Sequence, residues 1–133
     1  MAFNQTLYTA ARALAVSVEG LHPLPLTAPR SELMRRVQEI ESVQRDTMTV
    51  QHIVSTNLSR LDGMEATYLL DRTRLIFMIL GDHIQEVREA IMWGRINIPP
   101  ARFALPEYNQ ELLLTAVSEI VATCQVYRDK STG

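Results

Sequence analysis

Six consecutive apolar residues, Leu75-Ile76-Phe77-Met78-Ile79-Leu80, leave this stretch no polar face to turn toward water. A run of that kind has to be covered on all sides. Arg72, Arg74, Asp82 and His83 close it off at both ends, which makes it far too short to cross a bilayer. A buried strand would satisfy the length, but the neighbourhood selects a helix. Ala66, Leu70, Thr73, Phe77, Leu80, Ile84, Val87 and Ile91 recur at alternating steps of four and three, with the run in the middle of the series. The run therefore reads as the most deeply buried turns of a long helix, with other helices packed around it.

The segment before it repeats the pattern. Leu33, Val37, Ile40, Gln44, Thr47, Gln51, Val54, Leu58 and Leu61 are spaced four and three without a skip, which predicts a coiled-coil-like seam. Three polar side chains, Gln44, Thr47 and Gln51, fall where apolar ones are expected. Such a layer costs stability unless its groups are paired, and it often fixes register or oligomeric state. Alternatively the helix is rotated there, so that Val43, Met48 and Val50 face the core and the glutamines lie at the rim. Leu61-Asp62-Gly63-Met64 breaks the period and reads as a tight helix-helix turn. Two matched helices on either side of it predict a hairpin roughly 45 Å long at about 1.5 Å per residue.

The flanks supply two more helices. Leu7, Ala11, Leu14 and Val18 form one stripe, with Asn4 or Thr6 as caps and Gly20 as the stop. Leu113, Val117, Ile120, Cys124 and Tyr127 form the other, opened by Pro106 and Glu107 and followed by a polar tail, Arg128 to Gly133, expected to fray. Alternating prolines in Leu21-His22-Pro23-Leu24-Pro25-Leu26-Thr27-Ala28-Pro29 make an extended connector, its leucines expected along the surface. A second connector runs from Gly94 to Leu105 and ends on Pro99-Pro100. No stretch alternates with period two for long enough to build a sheet. The expected fold is all-α: a four-helix bundle built on a long antiparallel, coiled-coil-like helical hairpin. It forms a single domain over 1–133, with helices at about 4–19, 30–61, 64–94 and 106–129.

Composition narrows the chemistry. A formal net charge of -2 gives no basic footprint for nucleic acid and no signature for an anionic membrane. One cysteine excludes a disulfide framework and a thiolate zinc site within a single chain, and Cys124 on an apolar stripe reads as a small hydrophobe. An intracellular, virion-interior or disulfide-free periplasmic setting fits equally. Residues 1–20 show no charged region followed by an apolar one, so no retained signal peptide is expected. The five glycines are scattered, with no phosphate loop.

His22, His52 and His83 lie far apart. His83 shares a helical face with Glu86 and Glu89, but a di-iron site needs Glu-x-x-His contributions from other helices, so no metal or cofactor is expected and His83 reads as half-buried beside the core run. Arg35, Arg36, Arg45 and Arg60 read as a solvated face, with Glu32-Arg36 and Glu41-Arg45 as supporting pairs. An arginine-lined helical enzyme such as a chorismate mutase is disfavoured, because the only lysine is Lys130, near the C-terminal end. No catalytic residue is assigned.

Asp82-His83-Ile84-Gln85-Glu86-Val87-Arg88-Glu89-Ala90-Ile91, followed by Asn97-Ile98-Pro99-Pro100 and Leu105-Pro106-Glu107, resembles a helical segment of baculovirus F-type and insect retrovirus envelope glycoproteins. The resemblance covers about a quarter of the chain and implies a heptad-repeat fragment of a class I-like fusion protein. The chain departs from that pattern in lacking a Gly-rich fusion peptide, a furin-type basic site and the expected cysteines.

Three functions are consistent with these features. The first is a non-enzymatic interaction or assembly module, such as a virion or phage structural component, that self-associates or pairs with another helical protein. Its core and interface seam would be Leu33, Val37, Ile40, Val54, Leu58, Leu61, Leu70, Phe77, Leu80, Ile84, Val87 and Ile91. The second is a ligand-sensing four-helix-bundle domain of a bacterial receptor, with Gln44, Thr47, Gln51, Arg72 and Arg74 lining a polar pocket. The third is the envelope fragment.

Overall fold

The computed structural model describes residues 2–93 and 107–132, and the expectations for the Gly94–Leu105 connector and for Pro106 lie outside them. The protein is all-helical. Helices α1 (Ala2–Glu19), α2 (Arg30–Thr56), α3 (Gly63–Trp93) and α4 (Glu107–Thr132) are joined in part by a 3-10 turn at Leu58–Arg60, and no strand occurs among the described residues. Packing follows a ring: α1 lies against α2 and α4, and α3 against α2 and α4. No described helix is long and apolar enough to cross a membrane.

Each helix forms where its apolar spacing allows one face to be buried. The α1 stripe of Leu7, Ala11, Leu14 and Val18 is fully enclosed, and Phe3 extends it. In α4, Leu113, Val117, Ile120, Cys124 and Tyr127 are buried together with Ala116. The α4 helix also runs to Thr132, past the point where fraying was expected. Asn4 is no cap, since α1 starts before it; its side chain instead donates to the Tyr127 carbonyl at 2.7 Å. The proline-rich connector does not lay its leucines on the surface. Leu21 and Leu26 are buried, Leu26 within a turn closed by the Ala28 N–H donating to the Pro25 carbonyl at 3.0 Å, and Gln110 Nε2 donates to the Leu21 carbonyl at 2.9 Å.

The link between α2 and α3 is longer than a two-residue turn. The α2 helix stops at Thr56, and Asn57 caps its end with a side-chain bond to the Ile53 carbonyl at 2.8 Å. Asp62 then starts α3: its Oδ1 accepts the N–H groups of Met64 and Glu65 at 2.9 and 3.3 Å, which satisfies donors that a helix start otherwise leaves orphaned. Asp62 is therefore an N-cap, and Gly63 is the first helical residue, with open space where a Cβ would sit.

The buried positions of α2 are Leu33, Arg36, Ile40, Val43, Thr47, Val50 and Val54, and those of α3 include Ala66, Leu69, Thr73, Ile76, Leu80, His83, Val87 and Ala90. Both series keep the three-four spacing, but every second member falls one residue before the expected one. Val37, Leu70 and Ile91 are half-buried beside the seam, as is Phe77, while Ile84 and Leu61 are buried at its edge. Leu58 is 51% exposed and outside the seam, because α2 ends before it. In the rotated alternative, Val43 and Val50 do turn inward, with Gln44 and Gln51 half-buried, whereas Met48 stays exposed. Nor is the six-residue apolar run covered all round: Ile76 and Leu80 are fully buried, but Met78 is 67% exposed.

This phase has a measurable consequence. Leu80→Ala should cost about 2–5 kcal/mol in urea unfolding, as expected for a large core truncation, and Phe77→Ala should cost less than Leu80→Ala. The reverse order would show that the seam has been placed on the wrong face.

Candidate functional site

Arg36 and His83 occupy seam positions and are 6% and 1% exposed. Arginine has five N–H donors and no acceptor, so the 3.0 Å contact between Arg36 Nη1 and His83 Nε2 requires His83 to accept. That places the imidazole proton on Nδ1 and keeps the ring neutral in this contact. Arg36 Nε also donates to Glu39 Oε1 at 3.3 Å. Burial pulls the guanidinium below its ordinary pKa, and the Glu39 carboxylate works against that loss. Arg36 is thus not the solvated member of a pair with Glu32, and His83 is buried outright.

Arg30 Nη1, one end of the same helix, reaches the Ile91 carbonyl at 3.5 Å. Carrying this register inward sets Thr47 and Thr73 at one level. Both are fully buried, and each hydroxyl donates to its own helix, Thr47 to the Val43 carbonyl at 2.7 Å and Thr73 to that of Leu70 at 2.8 Å. Local bonding of this kind satisfies each hydroxyl proton within its own helix.

The five residues considered as a ligand pocket do not converge. Thr47 faces the interior, while Gln44 and Gln51 sit half-buried on its flank. Arg72 turns toward α4, with Nη1 3.5 Å from Glu119 Oε2 and its guanidinium 5.1 Å from the Tyr68 ring. Arg74 points to solvent and pairs with Asp71 at 3.0 Å. Helical geometry explains the divergence, since positions two apart on one helix face directions about 200° apart.

A second polar group is assembled at the end of the molecule that holds the α2–α3 link. The Tyr127 hydroxyl accepts the Asp62 backbone N–H at 2.9 Å. Burial, with a bond to Glu65 as a smaller cause, pushes its pKa up to about 12. Tyr68 donates to Glu119, and that bond is the main reason its pKa is raised. Arg60 lies over the Phe3 ring at 5.8 Å and Arg128 over the Tyr8 ring at 4.0 Å, so guanidinium groups sit over the aromatic rings at this end. None of these contacts has a sequence signature, because each joins residues more than fifty positions apart. Met64, Glu65, Tyr68, Thr123 and Val126 line a shallow, mainly apolar groove beside them.

Cys124 is fully buried, and burial alone pushes its thiol up to about 12. At neutral pH it is a protonated hydrophobe, not a nucleophile. Among the described residues no three His, Cys, Asp or Glu side chains cluster as a metal site would require. Comparison of the chain with protein-family models, curated proteins and solved structures finds no match.

Three predictions test this interior. His83→Leu leaves a buried guanidinium short of an acceptor and should cost about 1–3 kcal/mol. Arg36→Met with His83→Leu removes both polar groups and should be more stable than His83→Leu alone, measured by urea unfolding. A double variant as costly as the two single changes added together would mean that the pair is not coupled. The second concerns alkali. Cys124 and Tyr127 keep their protons to about pH 12 when folded but release them near 9.0 and 10.0 when unfolded. The unfolded state therefore binds fewer protons above pH 9, and stability should fall as pH rises from 9 toward 12. At pH 8, Cys124 should resist maleimide labelling in native protein and react fully in denaturant; rapid native labelling would contradict its burial.

Proposed function

We propose that this chain is a non-enzymatic helical interaction module, an antiparallel four-helix bundle built on a coiled-coil-like α2–α3 hairpin, that self-associates as part of a larger assembly. The helix pairings support the antiparallel arrangement. Arg30 near Ile91 and Arg36 near His83 join the start of α2 to the end of α3. Ser17 with Asp46 and Phe3 under Arg60 relate α1 to α2 in the same reversed sense. Asn4 with Tyr127 and Gln110 with Leu21 do so for α1 and α4, as Asp62 with Tyr127 and Tyr68 with Glu119 do for α3 and α4.

The observation that carries the reading is the outer surface. Alongside a well-filled interior, Met64, Met78, Met92 and Trp93 of α3 are 84, 67, 72 and 63% exposed, and Met34 and Met48 of α2 are exposed as well. Single exposed apolar residues are ordinary, but so many large flexible ones on one helix suit a contact surface, where methionine and tryptophan are enriched. The buried Arg36–His83 pair suits the same reading, because it joins α2 to α3. Sedimentation equilibrium of the whole chain should give an average mass above the monomer that rises with concentration in the micromolar range. A mass fixed at the monomer up to about 100 μM, where even a weak dimer would be populated, would overturn self-association.

A further inference from the structure

Met64, Met78 and Met92 are spaced fourteen residues apart, so about 21 Å separates each from the next along α3. Asp71 and Gln85 fall midway between them, completing a seven-residue stripe that faces away from the buried seam. A straight helix lets such a stripe drift by about 20° per heptad, which a shallow supercoil with a partner helix takes up. The three methionines have a centre, and it is Met78.

We propose that a second copy of this chain docks on this outer face of α3, antiparallel, about a two-fold axis at Met78; this deepens the self-association reading and rests on it. Charge and shape on the stripe match themselves under that operation. The axis brings Met64 of one copy to Met92 of the other and each Met78 to its counterpart. It sets Asp71, an acceptor, across from the Gln85 amide, a donor. Arg74 and Asp82 lie four residues on either side of the centre, so each arginine meets an aspartate of the other copy, twice over. No like charges among these residues meet.

Two local features suit this approach. Gly81 has nothing within 4 Å of where a Cβ would be, leaving room for the aliphatic stem of the other copy's Arg74 on its way to Asp82. Arg74 is 64% exposed at its side chain and held only by the surface pair with Asp71, a contact of little strength, so its reorientation meets little resistance. A parallel pairing has none of this complementarity, because it sets Arg74 against Arg74 and Asp82 against Asp82.

Charge reversal in the full-length chain tests the proposal. Arg74→Asp creates an aspartate-aspartate contact and Asp82→Arg an arginine-arginine one, and each should raise the dimer Kd at least about tenfold by sedimentation equilibrium. The double variant R74D/D82R restores opposite charges and should bring Kd back to within about threefold of the parent. Met78→Glu should also abolish association, and Met78→Cys oxidised with copper phenanthroline should give a disulfide-linked dimer. Circular dichroism melts close to the parent show that the exposed substitutions leave the fold intact. If the parent associates while Arg74→Asp, Asp82→Arg and Met78→Glu leave Kd unchanged, this surface is overturned and self-association stands. If the parent is a monomer, both fall.

Discussion

The contact between Arg36 and His83 is the constraint that the interior is arranged around. An arginine can be buried only where an acceptor meets it, and a neutral histidine supplies one lone pair in one direction. Moving α2 along α3 by a single residue turns that lone pair away, and moving it by a heptad sets the guanidinium among isoleucine and valine side chains. Apolar seam positions are more forgiving, because Leu33, Ile40, Val43 and Val50 would find some apolar neighbour in several registers. The polar pair adds little net attraction, since desolvation offsets most of what the hydrogen bond contributes. Its effect is to make the wrong registers expensive. The Thr47 and Thr73 level works differently: both hydroxyls are bonded within their own helices, so they lower the apolar content at mid-seam without selecting a partner.

At the opposite end, α4 is fixed by Tyr127. Tyr127 places its ring in the core and its hydroxyl on the Asp62 N–H, which is the residue that also caps α3. The cap and the tyrosine thus share one residue, and the start of α3 is held from within its own helix and from α4. Asn4, bonded to the Tyr127 carbonyl, brings the start of α1 into the same cluster. The fold is therefore tied at two polar points near its ends, with a largely apolar interior between them that is interrupted by Thr47 and Thr73.

These two points also explain how much of the structure was legible in the chain. Four helices and their order follow from apolar spacing, and the stripes of α1 and α4 were read in the right phase because they contain no competing polar residue. In α2 and α3 the phase was read one residue late at alternate positions. Hydropathy favours Val37 over Arg36 and Ile84 over His83, and nothing local reveals that Arg36 and His83 satisfy each other across forty-seven positions. The same limit applies to the pocket residues. Arg72 and Thr47 share a plausible polarity, but Thr47 bonds within α2 while Glu119 of α4 draws Arg72 away. A proline-rich connector has no apolar period to interpret, so the burial of Leu21 and Leu26 has no local signal in the sequence.

The apolar run from Leu75 to Leu80 has a different lesson. A helix that buries Ile76, Ile79 and Leu80 carries Met78 to the opposite side, whatever the residue there. The core accounts for three of the six apolar residues, with Leu75 packed against its edge and Phe77 half-buried. The remaining residue is the most exposed of the six, and it stands midway between two more exposed methionines on the same side. Under the proposed self-association, a second apolar neighbour outside α3 would take up the residue that the interior leaves exposed. Methionine suits that position, being flexible enough to remain in water when the chain is alone and polarizable enough to pack when it is not. On that proposal the apolar run would serve two surfaces of one helix, one closed by the fold and one set against a second copy.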